Sequence, residues 1–322
     1  MSGNGAAGMR KSGTMGAASN VVALFDGPGG PRSPRFIGPR QWWGLVERAA
    51  TAWVDDRAQS MGAALAYYTV FSLAPLLLIV VGLAGWVFGP EAARGEIFGQ
   101  LRGLMGTEAA LAIEGLLQSV SRPATSLTAT IVGSVVLLVG ATSVFVELQD
   151  ALDRIWRVPQ RDRSAGWIAL LRSRVLSFGI ILGLAFLLMV SLVFGAVMAA
   201  LGKWWGSYFG GWQLLAQGVN ALVSLALTTA VFAMIYKLMP RARVQWRDVW
   251  LGSVVTAVLF TLGKTLIGLY IGNTGVTSGF GAAGSVVVIL VWVYYSAQIF
   301  LLGAEFTWVY ARTYGSVGDQ RA

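Results

Sequence analysis

Tyr294, Gln298 and Glu305 stand at steps of four and seven in the apolar run 278–312, SGFGAAGSVVVILVWVYYSAQIFLLGAEFTWVYAR. Such steps return to the same side of an α-helix, so the three groups share one face. The run is long enough to cross a bilayer, which takes about 20 residues. A carboxyl and an amide on one face of such a helix can line a cavity or a substrate path, and an ionisable group there is costly enough to mark function. The plainer reading gives Gln298 an interhelical hydrogen bond. At about 1.5 Å per residue from Ser285, it also brings Glu305 near the inner surface, to pair with an arginine.

Three further groups carry candidate chemistry. Lys264 is the most interior cation, on one side of its helix with Thr261, Thr265 and Gly268. It either faces a cavity that attracts an anionic headgroup or solute, or snorkels to the outer headgroups. Glu147 and Asp150 follow Ser143 at steps of four and three, with Arg154 and Arg157 nearby. They form a gate or proton relay, or else an ion-pair cluster at a helix end. Tyr68, Ser72 and Pro75 share a face, and Pro75, lacking an N–H, predicts a kink beside polar groups. The chain has no Cys and no His. That excludes disulfides and thiolate chemistry and removes the commonest metal ligand and general base. The glycines of 272–284 come without a lysine or a strand–loop–helix context, so they make no phosphate loop. No catalytic, metal-binding or cofactor-binding residue is expected, and neither is an enzyme.

The elements that hold these groups are membrane helices. Of 322 residues, 56% are hydrophobic and only 12% charged, against about 25% charged in a soluble domain. Apolar runs predict six spans, at about 61–88, 127–149, 175–201, 213–238, 249–271 and 285–309. Residues 1–40 read as a disordered, uncleaved tail. Residues 41–57 read as an interfacial helix that puts Trp42, Trp43, Val46, Ala50 and Trp53 at headgroup level. Between the first two spans, 91–122 predicts two amphipathic helices broken near Gly106 and Thr107, too polar to span. The fold class is therefore all-α: six transmembrane helices, an N-terminal interfacial helix and outer amphipathic helices. The membrane domain covers 58–312, with a tail at 313–322.

Arginine and lysine set the orientation. Arg154, Arg157, Arg161, Arg163, Arg172 and Arg174 follow the second span, and Lys237, Arg241, Arg243 and Arg247 follow the fourth. The opposite side holds only Arg94, Arg102, Arg122 and Lys203. Both termini are then cytoplasmic, and the net charge of +9 reads as an orientation signal rather than a nucleic-acid footprint.

Two stretches, AALAYYTVFSLAPL at 63–76 and SGFGAAGS leading into WVYYSAQIFLLGAE, resemble the bacterial YihY / virulence factor BrkB family. ALDRIW at 151–156 resembles a third, weaker element, and the order holds over about 45–312. Phe280 stands where that family's element has a tyrosine, so no hydroxyl role carries over there. The resemblance implies a multi-pass protein of the bacterial inner membrane. It also carries an old ribonuclease label, for which no converging carboxylates or histidines appear here. It suggests movement of a lipid or other amphiphile in envelope homeostasis, with a non-transporting scaffold for an envelope-assembly protein as the alternative and an oligomeric channel as a third reading. The expected partners are membrane lipids, an envelope-assembly protein under the scaffold reading and a second copy under the channel reading.

Overall fold

Pro39 opens the first of the described helices, where its fixed φ and missing N–H cost nothing, and Gln41 Oε1 accepts from the Gly38 N–H at 3.1 Å. The computed structural model describes residues 38–105, 107–120, 143–159, 197, 212–242, 244–274, 284–315 and 317. Among them the regular structure is entirely helical. In chain order the helices are α1 (Pro39–Asp55), α2 (Ala58–Phe88), α3 (Pro90–Met105), α4 (Thr107–Val120), α5 (143–155), α6 (Trp212–Leu238), α7 (Trp246–Thr274) and α8 (Gly284–Thr313).

Three stretches are long and apolar enough to cross a membrane: Gln217–Leu238, Trp246–Ile271 and Val286–Thr313. They coincide with the last three spans expected from the sequence. α2 has 31 residues and runs as one helix past Pro75, a length of about 46 Å at the standard rise. The third expected span, the first part of the second, residues 1–37 and the glycine-rich 275–283 lie outside the described residues.

The expected amphipathic pair appears as α3 and α4, divided between Met105 and Thr107. Gly89 joins α2 to α3 at φ 89, a conformation in which a Cβ would be strained. α1 has two apolar stripes rather than one. Leu45, Ala49 and Ala52 are buried, and Trp42 stacks on Phe306 of α8 at 5.9 Å. Trp43, Val46 and Val54 remain exposed. The tryptophans expected to share one interfacial face are therefore split, Trp42 toward the bundle and Trp43 away from it.

Packing gathers into two apolar clusters at opposite ends. One joins α1, the start of α2, α5, the end of α6 and the end of α8, around Leu152, Ile155, Tyr236, Leu301 and Val309. The other joins the far half of α2, α3, α4, the end of α7 and the start of α8, around Val70, Ile113, Ile271 and Ile289. α7 and α8 approach closely because Gly252 faces Thr307, Gly303 faces Thr256 and Gly263 faces Ile299. Small residues let membrane helices meet where apolar surface alone gives little preference over lipid. Tyr236 of α6 locks this contact, donating to the Phe300 carbonyl at 2.7 Å with Thr256 Oγ1 at 3.2 Å.

Candidate functional site

Two contacts fix how α2 and α8 lie together. The Gln298 amide fills the space that a side chain at position 62 would need, so Gly62 admits it. Seven residues on, Glu305 faces Asp56, just ahead of α2. The helices are thus antiparallel, and the register puts Tyr294 about level with Ala66 and Tyr68, since each residue rises about 1.5 Å. Tyr294, Gln298 and Glu305 lie along this seam, as their spacing predicts. They differ in depth: Tyr294 is 38% exposed, Gln298 is half-buried and Glu305 is 0% exposed.

At the open end stands an aromatic group on α2, with Tyr67 edge-on to Tyr68 at 5.6 Å and packed on Phe71 at 4.8 Å. Ser72 is buried, and its hydroxyl donates to the Thr69 carbonyl at 3.1 Å. That bond stays within its own helix. In mid-seam, Gln298 Nε2 reaches the Gln59 carbonyl at 3.4 Å, a long contact, and the buried Oε1 has no donor among the described residues. This is the interhelical bond of the plainer reading, only half made.

The closed end is a charged knot that the sequence did not assemble. Asp56 ends α1, and Arg57 follows at φ 56. Arg157 ends α5 at φ 55, with the Val158 N–H donating back to the Asp153 carbonyl at 2.9 Å. That is a left-handed helix cap at a position glycine usually fills. Two arginines in a left-handed conformation cost about 1 kcal/mol or more each, and both flank Asp56. Arg157 Nη1 donates to Asp56 Oδ1 at 2.5 Å, while its guanidinium lies over the Trp308 ring at 5.1 Å, with Arg312 over the same ring at 5.4 Å. Glu305 was expected to meet an arginine at the surface. Instead the arginine binds Asp56, and both oxygens of Glu305 and Asp56 Oδ2 are buried without a hydrogen-bond donor among the described residues. An uncompensated buried carboxylate costs several kcal/mol. The indole N–H groups of Trp53 and Trp156, from the ends of the same two helices, are also buried without an acceptor among the described residues.

The remaining candidates lie elsewhere. Lys264 is half-buried on α7, beside Gly263, whose neighbours are Tyr295 and Ile299. Those residues turn to α7 while Gln298 turns to α2, so the two polar groups sit on different seams of α8. On α5, Asp150 is exposed and Glu147 half-buried. The ion pair this helix makes uses Asp153, which accepts from the Arg241 backbone N–H at 2.8 Å and from Nη1 at 2.9 Å. Gln149 adds a bond to the Met239 carbonyl at 3.0 Å. Among the described residues no three Asp, Glu, His or Cys converge in a way that could hold a metal.

A family model described as virulence factor BrkB matches residues 49–322. A UPF0761 membrane protein of Pseudomonas aeruginosa (strain LESB58) is 32% identical over 257 residues, 79% of this chain and 60% of the relative. One from Psychrobacter sp. (strain PRwf-1) is 27% identical over 272 residues, covering 83% of this chain and 48% of its own length. One from Tolumonas auensis is 27% identical over 263 residues, 78% of this chain and 80% of its own. The chain thus spans about 60% of the length of the first of these. No solved structure matches.

Proposed function

Because this chain belongs to the virulence factor BrkB family of membrane proteins, we propose that it moves a lipid or other amphiphile across the bacterial inner membrane. In this reading it has six spans and cytoplasmic termini. The headgroup travels the α2–α8 seam, entering beside Tyr67, Tyr68 and Tyr294, passing Gln298, and reaching the charged knot at Glu305, Asp56 and Arg157. The apolar tails stay outside the seam in the bilayer. The observation that carries the reading is the unpartnered polar line on one face of a spanning helix, Gln298 Oε1 followed by the Glu305 carboxyl. Polar groups left unsatisfied at that depth are expensive, and the expense is explicable if a substrate completes them in turn. Lys264, on the other seam of α8, supports only packing or a second anionic contact.

The test is reconstitution of the full chain into liposomes with fluorescent lipids of zwitterionic and anionic headgroups. Wild-type protein should exchange at least one class between leaflets faster than empty liposomes. Gln298→Ala and Glu305→Ala should slow that exchange by about tenfold or more, equivalent to a barrier increase of ~1.4 kcal/mol. Lys264→Ala should slow it less. Wild-type exchange no faster than that of empty liposomes would sink the reading for the lipids tried and favour the scaffold role.

A further inference from the structure

Glu305 and Asp56 bring two carboxyls together beneath the end of α1, and one guanidinium answers them. Arg157 is committed to Asp56 Oδ1 at 2.5 Å. The charged groups facing Glu305 are Asp56, Arg157 and Asp55. Two buried negative charges, on Glu305 and Asp56, thus meet one positive charge, on Arg157, whose side chain is 38% exposed. Three carboxyl oxygens, Glu305 Oε1 and Oε2 and Asp56 Oδ2, are buried with no donor among the described residues, and Glu305 is 0% exposed. As carboxylates neither can donate to the other. A charge missing by one, beside acceptors missing a donor, defines what would complete the site: a single monovalent positive charge.

We propose that Glu305 and Asp56 form a binding site for one monovalent cation, a proton or a sodium-sized ion, exchanged during the working cycle. A divalent metal fits poorly, since two buried carboxylates with an arginine already in place leave only one charge to balance, the third carboxyl, Asp55, is exposed, and among the described residues no three Asp, Glu, His or Cys are placed to hold a metal. A bound cation neutralises the knot and lets α1, α2 and α8 close. Its release leaves two carboxylates that repel each other and loosens that end of the seam. Such a site supplies an energy source in a protein whose sequence shows no nucleotide-binding loop. The inference goes beyond lipid movement and is tested without it.

Purified full-length protein in detergent is titrated with sodium chloride against choline chloride at matched ionic strength and pH, and its melting temperature is followed. In parallel, infrared spectra are searched for a carboxylic-acid C=O band that shifts in D2O and disappears as the pH is raised. Both measurements are repeated on Glu305→Gln and Asp56→Asn. A saturable, sodium-specific rise in melting temperature that vanishes in both variants identifies the ligand as sodium. An exchangeable acid band lost in both variants identifies it as a proton. The proposal is overturned if wild-type protein shows neither response, or if any response persists in both variants. Asp56→Asn and the wild-type titrations carry the test if Glu305→Gln fails to fold.

Discussion

Asp153 shows what a fully answered buried charge looks like in this chain. Its side chain is 0% exposed, and each oxygen accepts from Arg241, one from the backbone N–H and one from the guanidinium. Removing one member of a buried pair strands the other, typically at about 3–5 kcal/mol. Because Arg241 is 29% exposed, water recovers part of that, and Asp153→Ala should cost about 2–3 kcal/mol. Thermal unfolding in detergent would show a clear fall in melting temperature, and a melt matching wild type would contradict this account of the pair. Glu305 presents the opposite case, a buried carboxyl with no donor among the described residues. Glu305→Gln should therefore hold or raise the melting temperature in the absence of added sodium. A large loss there would mean the charge is structurally satisfied. The spacing of Tyr294, Gln298 and Glu305 announced their shared face. Nothing in the sequence announced Asp56, because its partners Arg157 and Glu305 come from distant segments, Arg157 being 101 residues away.

Among the elements, α7 and α8 depend on glycine for their distance of approach. At Gly303 a Cβ would collide with Thr256 Oγ1 and lie 2.7 Å from the Tyr236 hydroxyl. Gly303→Val should therefore push α8 off both α6 and α7, costing about 1–3 kcal/mol or more through overpacking. It should be read as lower yield of monodisperse protein and a lower melting temperature. Gly268→Ala is the control. Nothing lies within 4 Å of a Cβ there, so its melt should match wild type or improve, since alanine is the better helix former. Helix bounds were partly legible: a helix start at Thr107, the long α2 and the last three spans all follow from apolar periodicity and turn chemistry. Which glycines matter was not. Helical spacing groups Gly268 with Lys264, yet among the described glycines the tight approaches fall on Gly62, Gly252, Gly263, Gly303 and Gly315. Spacing reports a possible face, whereas contact depends on what the facing helix presents. The same limit explains α1, whose tryptophans are all apolar enough for the interface until Phe306 claims Trp42.

At the scale of the whole molecule, the clusters at the two ends of the bundle carry different chemistry. The end with α1 and α5 gathers Arg57, Arg157, Lys237, Arg241 and Arg312, and the end with α3 and α4 holds Arg94 and Arg102. The proposed topology, resting on the positive-inside argument, predicts that the first end faces the cytoplasm. The chain has no cysteine, so single-cysteine variants report sidedness directly. Arg94→Cys and Gln245→Cys, both at exposed positions, should react with a membrane-impermeant maleimide from opposite faces, Arg94→Cys in intact spheroplasts and Gln245→Cys only after lysis. Labelling of both from the same face would overturn the six-span topology. α1 lies where the bundle and the charged knot meet: one stripe on Phe306, another with Trp43, Val46 and Val54 exposed, and Asp56 at its tip. Under the proposed interfacial placement of that exposed stripe, α1 is mechanically a lever whose long arm rests in the headgroup layer and whose short arm is a carboxyl facing Glu305, with the left-handed Arg57 as fulcrum. Crowding or thinning of the headgroup layer would then act as a force on the Asp56–Glu305 distance, so the state of the surrounding membrane would set how firmly the knot holds its missing charge.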